Sequence, residues 1–175
     1  MSGDETSERI KRAALARFVE VGFGSTTVDE IAAGAGVGVA TLYRRWPDKS
    51  ALGNELMIDY LDLSDDLLEP VTGGTRKSRF LELWRRLWHQ AKADPDLLLF
   101  VEAQASAGFM TEEVASRKEA VAQRWIDAIG DFGVEAEPTT ALSMLVGTLT
   151  AVWRSGLDVD PDDLGERLWV ALRAA

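Results

Sequence analysis

Apolar residues recur at every third or fourth position along almost the whole of this 175-residue chain. Two of the clearest stripes are Ile10, Ala14, Phe18 and Val21, and Phe80, Leu83, Trp84, Leu87, Trp88 and Ala91. This spacing places side chains on one face of an α-helix, whereas a half-buried strand would alternate apolar and polar residues. Because β-branched runs with that alternation are absent from the sequence, we predict an all-α fold.

Capping and turn residues divide the pattern into about nine helices. Thr27 and Glu30 have the spacing of a capping box at the start of a short second helix, and the glycine-rich residues 34–38 end that helix. A third short helix follows over residues 39–46, and Asp48 is suited to cap a long fourth helix. Prolines and glycines punctuate the rest of the chain in the same way. Three helices would then form an N-terminal headpiece and about six a larger body.

The chain contains no cysteine and a single histidine, His89. Disulfides and thiolate metal sites are therefore excluded, and a catalytic acid–base site has few residues to use. Neither G-x-S-x-G nor H-E-x-x-H occurs, and the glycines of residues 34–38 do not match a nucleotide-binding loop. We expect no catalytic residue, no metal and no cofactor, and we expect His89 to be a partly exposed polar position.

The longest uncharged stretch covers residues 138–153 and is 16 residues long. A membrane-spanning helix needs about 20 predominantly apolar residues, so this stretch is predicted to be a buried helix. The first nine residues are polar and of mixed charge, unlike a secretion signal. We therefore expect a cytoplasmic protein with no membrane partner.

Charge is distributed unevenly between the two parts of the chain. Residues 1–50 carry seven Lys or Arg and seven Asp or Glu, whereas residues 51–175 carry 12 and 22 and account for the net charge of −10. Binding to phosphates depends more on local positive charge than on the net charge of the whole chain. The acidic composition therefore does not exclude nucleic-acid binding by the comparatively basic N-terminal part.

Two short helices joined by a glycine-containing turn have the geometry of a helix-turn-helix, whose second helix enters the DNA major groove. At this point the chain resembles the N-terminal domain of the TetR (tetracycline-repressor) family over residues 10–56. The matching segments are residues 22–32 (GFGSTTVDEIA), 35–37 (AGV) and 41–49 (TLYRRWPDK). The resemblance implies a bacterial repressor with a DNA-binding domain over residues 1–47 and a ligand-binding and dimerisation domain over residues 48–175.

The resemblance also implies a set of residues that contact DNA. These are Thr27, Val39, Ala40, Thr41, Tyr43, Arg44, Arg45 and Lys49. The hydroxyl groups in the set suit phosphate oxygens, and Lys49 adds a charge to the first turn of the fourth helix. Each arginine can bind guanine O6 and N7 with two hydrogen bonds, and the valine and alanine can touch a thymine methyl group.

Other residues of the third helix have different expected roles. Leu42 and Trp46 have the apolar spacing of core residues. Gly38 stands where family members often have Ser or Thr, so the backbone must cap the helix there. Ala40 stands where they often have Gly, which adds one methyl group to the face that approaches DNA. Both differences leave open which atoms touch the DNA.

The candidate ligand-binding residues lie on neighbouring predicted helices of the body. They are Trp84, Trp88, Phe100, Gln104 and Trp125. Six tryptophans in a chain of this length is a high number, and a cavity between bundle helices is a common ligand site. A packed core without a ligand is the alternative for each aromatic residue. The predicted partner is a hydrophobic small-molecule effector.

The uncharged stretch also predicts a homodimer. Its apolar side chains lie around more than one face, whereas a helix packed in a single body normally shows a polar face to water. We therefore expect a two-fold interface built from residues 139–155 and 162–173, in which Gly147 and Ala151 allow close approach of a partner helix. The alternative is a helix that is central within one subunit.

Together these features predict a ligand-responsive transcriptional repressor. It would bind a palindromic operator in double-stranded DNA as a dimer and be released by a small molecule. Two other classes remain as alternatives: a helical protein-binding adaptor without DNA binding, and a small helical enzyme. The phosphate-facing set argues against the adaptor, and the lack of a catalytic motif argues against the enzyme.

Overall fold

A computed structural model describes residues 3–103 and 108–174 of the chain. Within these ranges the protein is built from nine α-helices, with no strand. The helices are α1 (Gly3–Val21), α2 (Val28–Ala35), α3 (Val39–Arg45), α4 (Lys49–Leu67), α5 (Arg76–Ala93), α6 (Pro95–Ala103), α7 (Glu112–Gly130), α8 (Pro138–Ser155) and α9 (Pro161–Arg173). The predicted all-α fold class is confirmed.

Several helices begin at capping residues, and the sequence predicts two of these, Thr27 and Asp48. Thr27 caps α2, and both hydrogen bonds of its capping box with Glu30 are formed. The carboxylate of Asp48 accepts a 2.8 Å hydrogen bond from an N–H in the first turn of α4. Asp160 accepts two such bonds at the start of α9. Each acid or hydroxyl satisfies N–H groups that have no partner within the helix.

The helices form two compact units. The first contains the described residues up to Tyr60 together with those from Asp96 to Ala115, and so includes α1 to α3, most of α4, and α6. The second contains residues 61–95 and the described residues from 116 onward. The division predicted between residues 47 and 48 concerns DNA-binding function and stays a prediction.

The core of the first unit is formed by the apolar faces of its helices. Its buried residues include Ile10, Ala14, Phe18, Ile31, Leu42, Leu52, Leu56 and Phe100. The ring of Phe18 stacks on Phe100 with 5.4 Å between centroids. Burial of side chains of this size is the main stabilising contribution to such a unit, about 1.5–3 kcal/mol for each large apolar side chain.

The core of the second unit follows the aromatic stripe of α5. Its buried residues include Phe80, Leu83, Trp84, Trp88, Ile129, Leu145, Leu149, Leu168 and Leu172. The indole N–H of Trp84 donates a 2.7 Å hydrogen bond to the carbonyl of Pro161. A Cβ atom at Gly165 of α9 would overlap the Trp84 ring, so this glycine lets α9 pack closely on α5.

The uncharged stretch forms a helix, α8, as predicted. One side of α8 is buried within the unit through Ala141, Leu145, Leu149 and Val152. On other sides Val146 and Gly147 are half-buried, and Ala151 is exposed. Across the described residues, no helix combines the length and the apolar character that crossing a bilayer requires.

Candidate nucleic-acid interface

Glu30 fixes the start of α2. Its carboxylate accepts a 2.8 Å hydrogen bond from the N–H of Thr27, and the Thr27 hydroxyl accepts one of 3.3 Å from the N–H of Glu30. The carboxylate also pairs with Arg17 of α1 at 2.6 Å. The backbone and hydroxyl hydrogen bonds from Thr27, followed by Arg17, lower the pKa of Glu30. The first helix of the helix-turn-helix is thereby attached to α1.

Gly36 forms the turn between α2 and α3. Its φ is 64°, in the left-handed region that favours glycine. The N–H groups of Gly36 and Val37 donate to carbonyls in the last turn of α2 at 3.1 and 3.0 Å. The Arg9 guanidinium of α1 donates a hydrogen bond to the carbonyl of Ala35. A Cβ atom on Gly36 would lie 3.0 Å from this guanidinium. The backbone conformation therefore favours glycine, and a Cβ atom would in addition require the Arg9 guanidinium to shift slightly.

The third helix, α3, buries one face and exposes the other. Leu42 is 0% exposed and Trp46, at the end of the helix, is 2% exposed, which confirms the core prediction for both. Tyr43 is 50% exposed, and Arg44 beside it is also exposed. The carbonyl of Gly38 accepts a 2.8 Å bond from the N–H of Thr41, and no side chain caps the helix. The backbone therefore caps α3, as the sequence predicts.

All eight predicted DNA contacts are at least partly accessible to solvent. The exposed members are Thr27, Ala40, Tyr43, Arg44 and Arg45, and the half-buried members are Val39, Thr41 and Lys49. The Arg45 guanidinium lies 5.8 Å from the centroid of the Trp46 ring. The arrangement leaves these side chains available to a ligand, and their contact with DNA stays a prediction.

Lys49 makes contacts within the protein that its sequence position did not reveal. Its ammonium group donates 2.6 Å hydrogen bonds to the carbonyls of Phe23 and Thr26 and lies 4.6 Å from the centroid of the Phe23 ring. The lysine therefore holds the loop between α1 and α2 against the start of α4. Because its donors are engaged in these bonds, a phosphate would meet mainly the charge of Lys49.

Glu55 of α4 joins three helices. One carboxylate oxygen accepts a 2.6 Å hydrogen bond from the indole N–H of Trp46, and the other lies 2.9 Å from the ammonium of Lys11 in α1. Burial would raise the pKa of Glu55, but the hydrogen bonds from Lys11 and Trp46 outweigh it and the pKa is lowered. Burial likewise opposes the charge of Lys11, but Asp59 and Glu55 raise its pKa. No feature of the sequence pattern predicted this network.

Asn54 anchors residues 109–111 to α4. Its side-chain N–H donates a 2.9 Å hydrogen bond to the carbonyl of Phe109, and its side-chain oxygen accepts a 2.9 Å hydrogen bond from the N–H of Thr111. The Phe109 ring stacks on Phe23 with 4.1 Å between centroids and 19° between planes. The segment before α7 is therefore held against the same α1–α2 loop that Lys49 binds.

The predicted ligand residues are distributed over both units. Phe100 belongs to the first unit, whereas Trp84, Trp88 and Trp125 are buried in the second. The rings of Trp84 and Trp88 are 5.8 Å apart. Gln104 lies outside the described residues. Contact of this set with a ligand stays a prediction.

His89 is exposed on α5, in keeping with its predicted polar position. In residues 3–103 and 108–174, no three His, Asp or Glu side chains form a group that could hold a metal ion. The expectations of no metal and no cofactor stay predictions.

Residues 10–56 match the family model described as bacterial regulatory proteins, tetR family. A relative from Mycobacterium tuberculosis, described as an uncharacterized HTH-type transcriptional regulator, is 26% identical over 121 residues. That alignment covers 68% of this chain and 63% of the relative. The match therefore extends well beyond the helix-turn-helix but spans less than two thirds of the relative's length.

Solved structures of low identity share the whole fold. The crystal structure of a TetR family transcription regulator from Marinobacter aquaeolei VT8 is 20% identical, covers 97% of this chain and 96% of that chain, and gives a TM-score of 0.71. The ketosteroid transcriptional regulator KstR2 of Mycobacterium tuberculosis is 18% identical, covers 96% and 93%, and gives 0.70. At these low sequence identities, the structural similarity establishes that the proteins share a fold.

The described residues thus combine an all-helical fold with an N-terminal helix-turn-helix of the kind found in bacterial regulatory proteins. Residues 10–56 form a helix-turn-helix domain of the kind found in the bacterial tetR family of regulatory proteins, which confirms the resemblance seen in this segment. Both the family model and the relative from Mycobacterium tuberculosis are described as regulators, which argues against the enzyme alternative.

Proposed function

We propose that the protein is a ligand-responsive transcriptional repressor that binds a palindromic operator in double-stranded DNA as a homodimer. The observation that carries this proposal is the two-sided character of α3. Leu42 and Trp46 hold its inner face in the core, while Tyr43 and Arg44 stand on the exposed face. A short helix of this kind fits the major groove, which is wide enough for one α-helix.

The two arginines of α3 have different surroundings. Within the described part of the chain Arg44 is exposed and makes no ion pair, whereas the Arg45 guanidinium lies near the Trp46 ring. Arg44 is therefore the proposed base contact, through guanine O6 and N7, and Arg45 is proposed to contact a phosphate. Thr27, Thr41 and Tyr43 would offer hydroxyl groups to further phosphates.

The proposed dimer interface lies on α8 and α9. A Cβ atom at Gly147 would have no neighbour within 4 Å, and Ala151 one turn later is exposed. Val170 of α9 is 64% exposed, which is high for a large apolar side chain. A two-fold axis would cover these positions with their own copies, giving a bundle of two helices from each chain.

Dimerisation would set the spacing of the two α3 helices. Successive major grooves on one side of DNA are about 34–36 Å apart. A hydrophobic effector bound in the second unit, with Trp84, Trp88 and Trp125 among its proposed contacts, would favour a form with another spacing. The affinity for DNA would then fall, at most by the factor by which the effector binds that form more tightly than the DNA-binding form. With DNA as its partner, the protein would act in the cytoplasm.

Selection of bound duplexes from a random-sequence DNA pool tests this proposal. A repressor of this kind enriches one sequence with two related half-sites in inverted orientation. A pool that remains random after repeated selection at low salt would contradict the proposal and favour the adaptor alternative. The same selection with Arg44→Ala should relax the preference at one base position in each half-site.

A further inference from the structure

A pocket of about 300 Å³ lies within the second unit, between the end of α4, the loop that follows it, α5 and α7. Its apolar walls are formed by Leu67, Leu68, Pro70, Val71, Leu83 and Phe132. Pockets that hold small molecules have volumes from about 300 Å³ and are lined mainly by such side chains with a few polar groups. None of the five ligand residues predicted from the sequence lines this pocket.

Arg79 of α5 brings a positive charge to the wall of the pocket. Its Nε atom is shielded from solvent and has no hydrogen-bond acceptor among the described residues. Over those residues the guanidinium also forms no ion pair. The other arginine of the pocket, Arg124, differs because it pairs with Asp65. Arg79 is thus the cation of this pocket that has no carboxylate partner among the described residues.

The acidic residues of the pocket are placed differently from Arg79. Glu69, Asp127 and Asp131 are exposed to solvent, whereas Arg79 is half-buried. Exposed carboxylates are hydrated and screened by salt, so they oppose an anion in the pocket only weakly. Arg79 lines the pocket without a carboxylate partner among the described residues, and a bound anion would supply one. The planar guanidinium also suits a carboxylate, because two N–H groups can bind its two oxygens.

We propose that this pocket binds a small amphipathic carboxylate, with its charged group on Arg79 and its hydrocarbon part against the apolar walls. The proposal goes beyond the repressor function above, because it requires neither DNA binding nor the aromatic set. It also differs from a site for a purely apolar ligand, since affinity depends on one charged group.

Isothermal titration of the full chain with octanoate and with octan-1-ol tests the proposal. The two probes share their hydrocarbon chain and differ in the charged group, so octanoate should bind about tenfold more tightly or better. Arg79→Met should remove this preference, because methionine keeps the apolar stem and loses the guanidinium. Arg76→Met is the matched control, since Arg76 lies one turn earlier on α5 and outside this pocket, and should leave octanoate binding unchanged.

A second readout uses the wild-type protein alone and is independent of how the variants fold. In a ¹H–¹⁵N spectrum, the Nε–H signal of Arg79 should move on addition of octanoate and stay in place with octan-1-ol or inorganic phosphate. Equal affinity for the alcohol, undiminished binding by folded Arg79→Met, or an unmoved Nε–H signal would overturn the proposal. A shift with phosphate as large as that with octanoate would also overturn it, since the site would then bind charge alone.

Discussion

The indole N–H of Trp46, the residue that ends α3, donates a 2.6 Å hydrogen bond to the carboxylate of Glu55 on α4. The same carboxylate pairs with Lys11 of α1 at 2.9 Å. The end of the proposed recognition helix is therefore attached to two other helices through one ionised group. We expect protonation of Glu55 to weaken this attachment of α3.

This contact predicts a specific loss of stability in acid. The pKa of Glu55 in the folded protein is below its ordinary value of 4.5, so its ionised form stabilises the fold above that pH. The stabilisation disappears as the pH falls through the lowered pKa. Glu55→Gln should therefore reduce stability at pH 7 and flatten the dependence of stability on pH in acid. Urea unfolding between pH 7 and 3 measures this, with the exposed Glu5→Gln as control. An acid dependence in Glu55→Gln as steep as that of wild type would contradict the account.

The contacts of Lys49 predict that this residue stabilises the headpiece, in addition to its proposed contact with DNA. Lys49→Met leaves the carbonyls of Phe23 and Thr26 without their donor, and should lower the free energy of unfolding by about 1–3 kcal/mol. Arg44→Met is the matched control, because the exposed arginine makes no such contact. It should change stability by less than about 0.5 kcal/mol while weakening DNA binding. Chemical denaturation of both variants distinguishes the roles, and equal stability of the two would refute the structural role of Lys49.

The close contact between α5 and α9 predicts opposite effects of two glycine substitutions. In Gly165→Ala the new methyl group overlaps the Trp84 ring, and the repacking should cost about 1–3 kcal/mol. In Gly34→Ala the methyl group meets only the Cβ of Ala13 at 3.4 Å, and the helix should gain up to about 1 kcal/mol. Thermal unfolding of the two variants measures both effects. A neutral Gly165→Ala would mean that α9 packs less closely than described.

The proposed dimer predicts a difference between two exposed alanines. Ala151→Glu places a charge in the proposed two-fold interface on α8, and should shift the protein towards monomers. Ala122→Glu places the same charge on the exposed side of α7 and should leave the dimer intact. Light scattering at micromolar concentration gives the mass of each. A wild-type monomer that still binds DNA with full affinity would rule out the dimer.

The helices could be predicted from the sequence because their signals are local. Thr27 and Glu30 are three residues apart, and the apolar residues of α5 recur within one or two turns. The contacts that shape the candidate interface join distant residues instead. The backbone partners of Lys49 lie 23 and 26 residues away, and the contact of Asn54 with Thr111 spans 57. Helical periodicity carries no information about which carbonyl a distant side chain reaches.

The aromatic residues show the same limit. The sequence offered Trp84 and Phe100 as ligand contacts or as core residues, and in the structure both are buried. It could not show that Phe100 stacks on Phe18 in the first unit while Trp84 packs beside Gly165 in the second. Which core a residue joins depends on how the helices pack together, and the apolar pattern within one helix gives no information about that packing.

The salt dependence of DNA binding tests the central claim most directly. Fluorescence anisotropy of a labelled duplex carrying the selected operator gives the binding constant over a range of salt concentrations. The account predicts tight binding at low salt and a linear fall of log K with the logarithm of the salt concentration. In Lys49→Met the slope of this line should be shallower by about one unit for each Lys49–phosphate contact that is lost. Absence of binding to any duplex at low salt, or binding unaffected by salt, would contradict the claim that this protein acts on DNA.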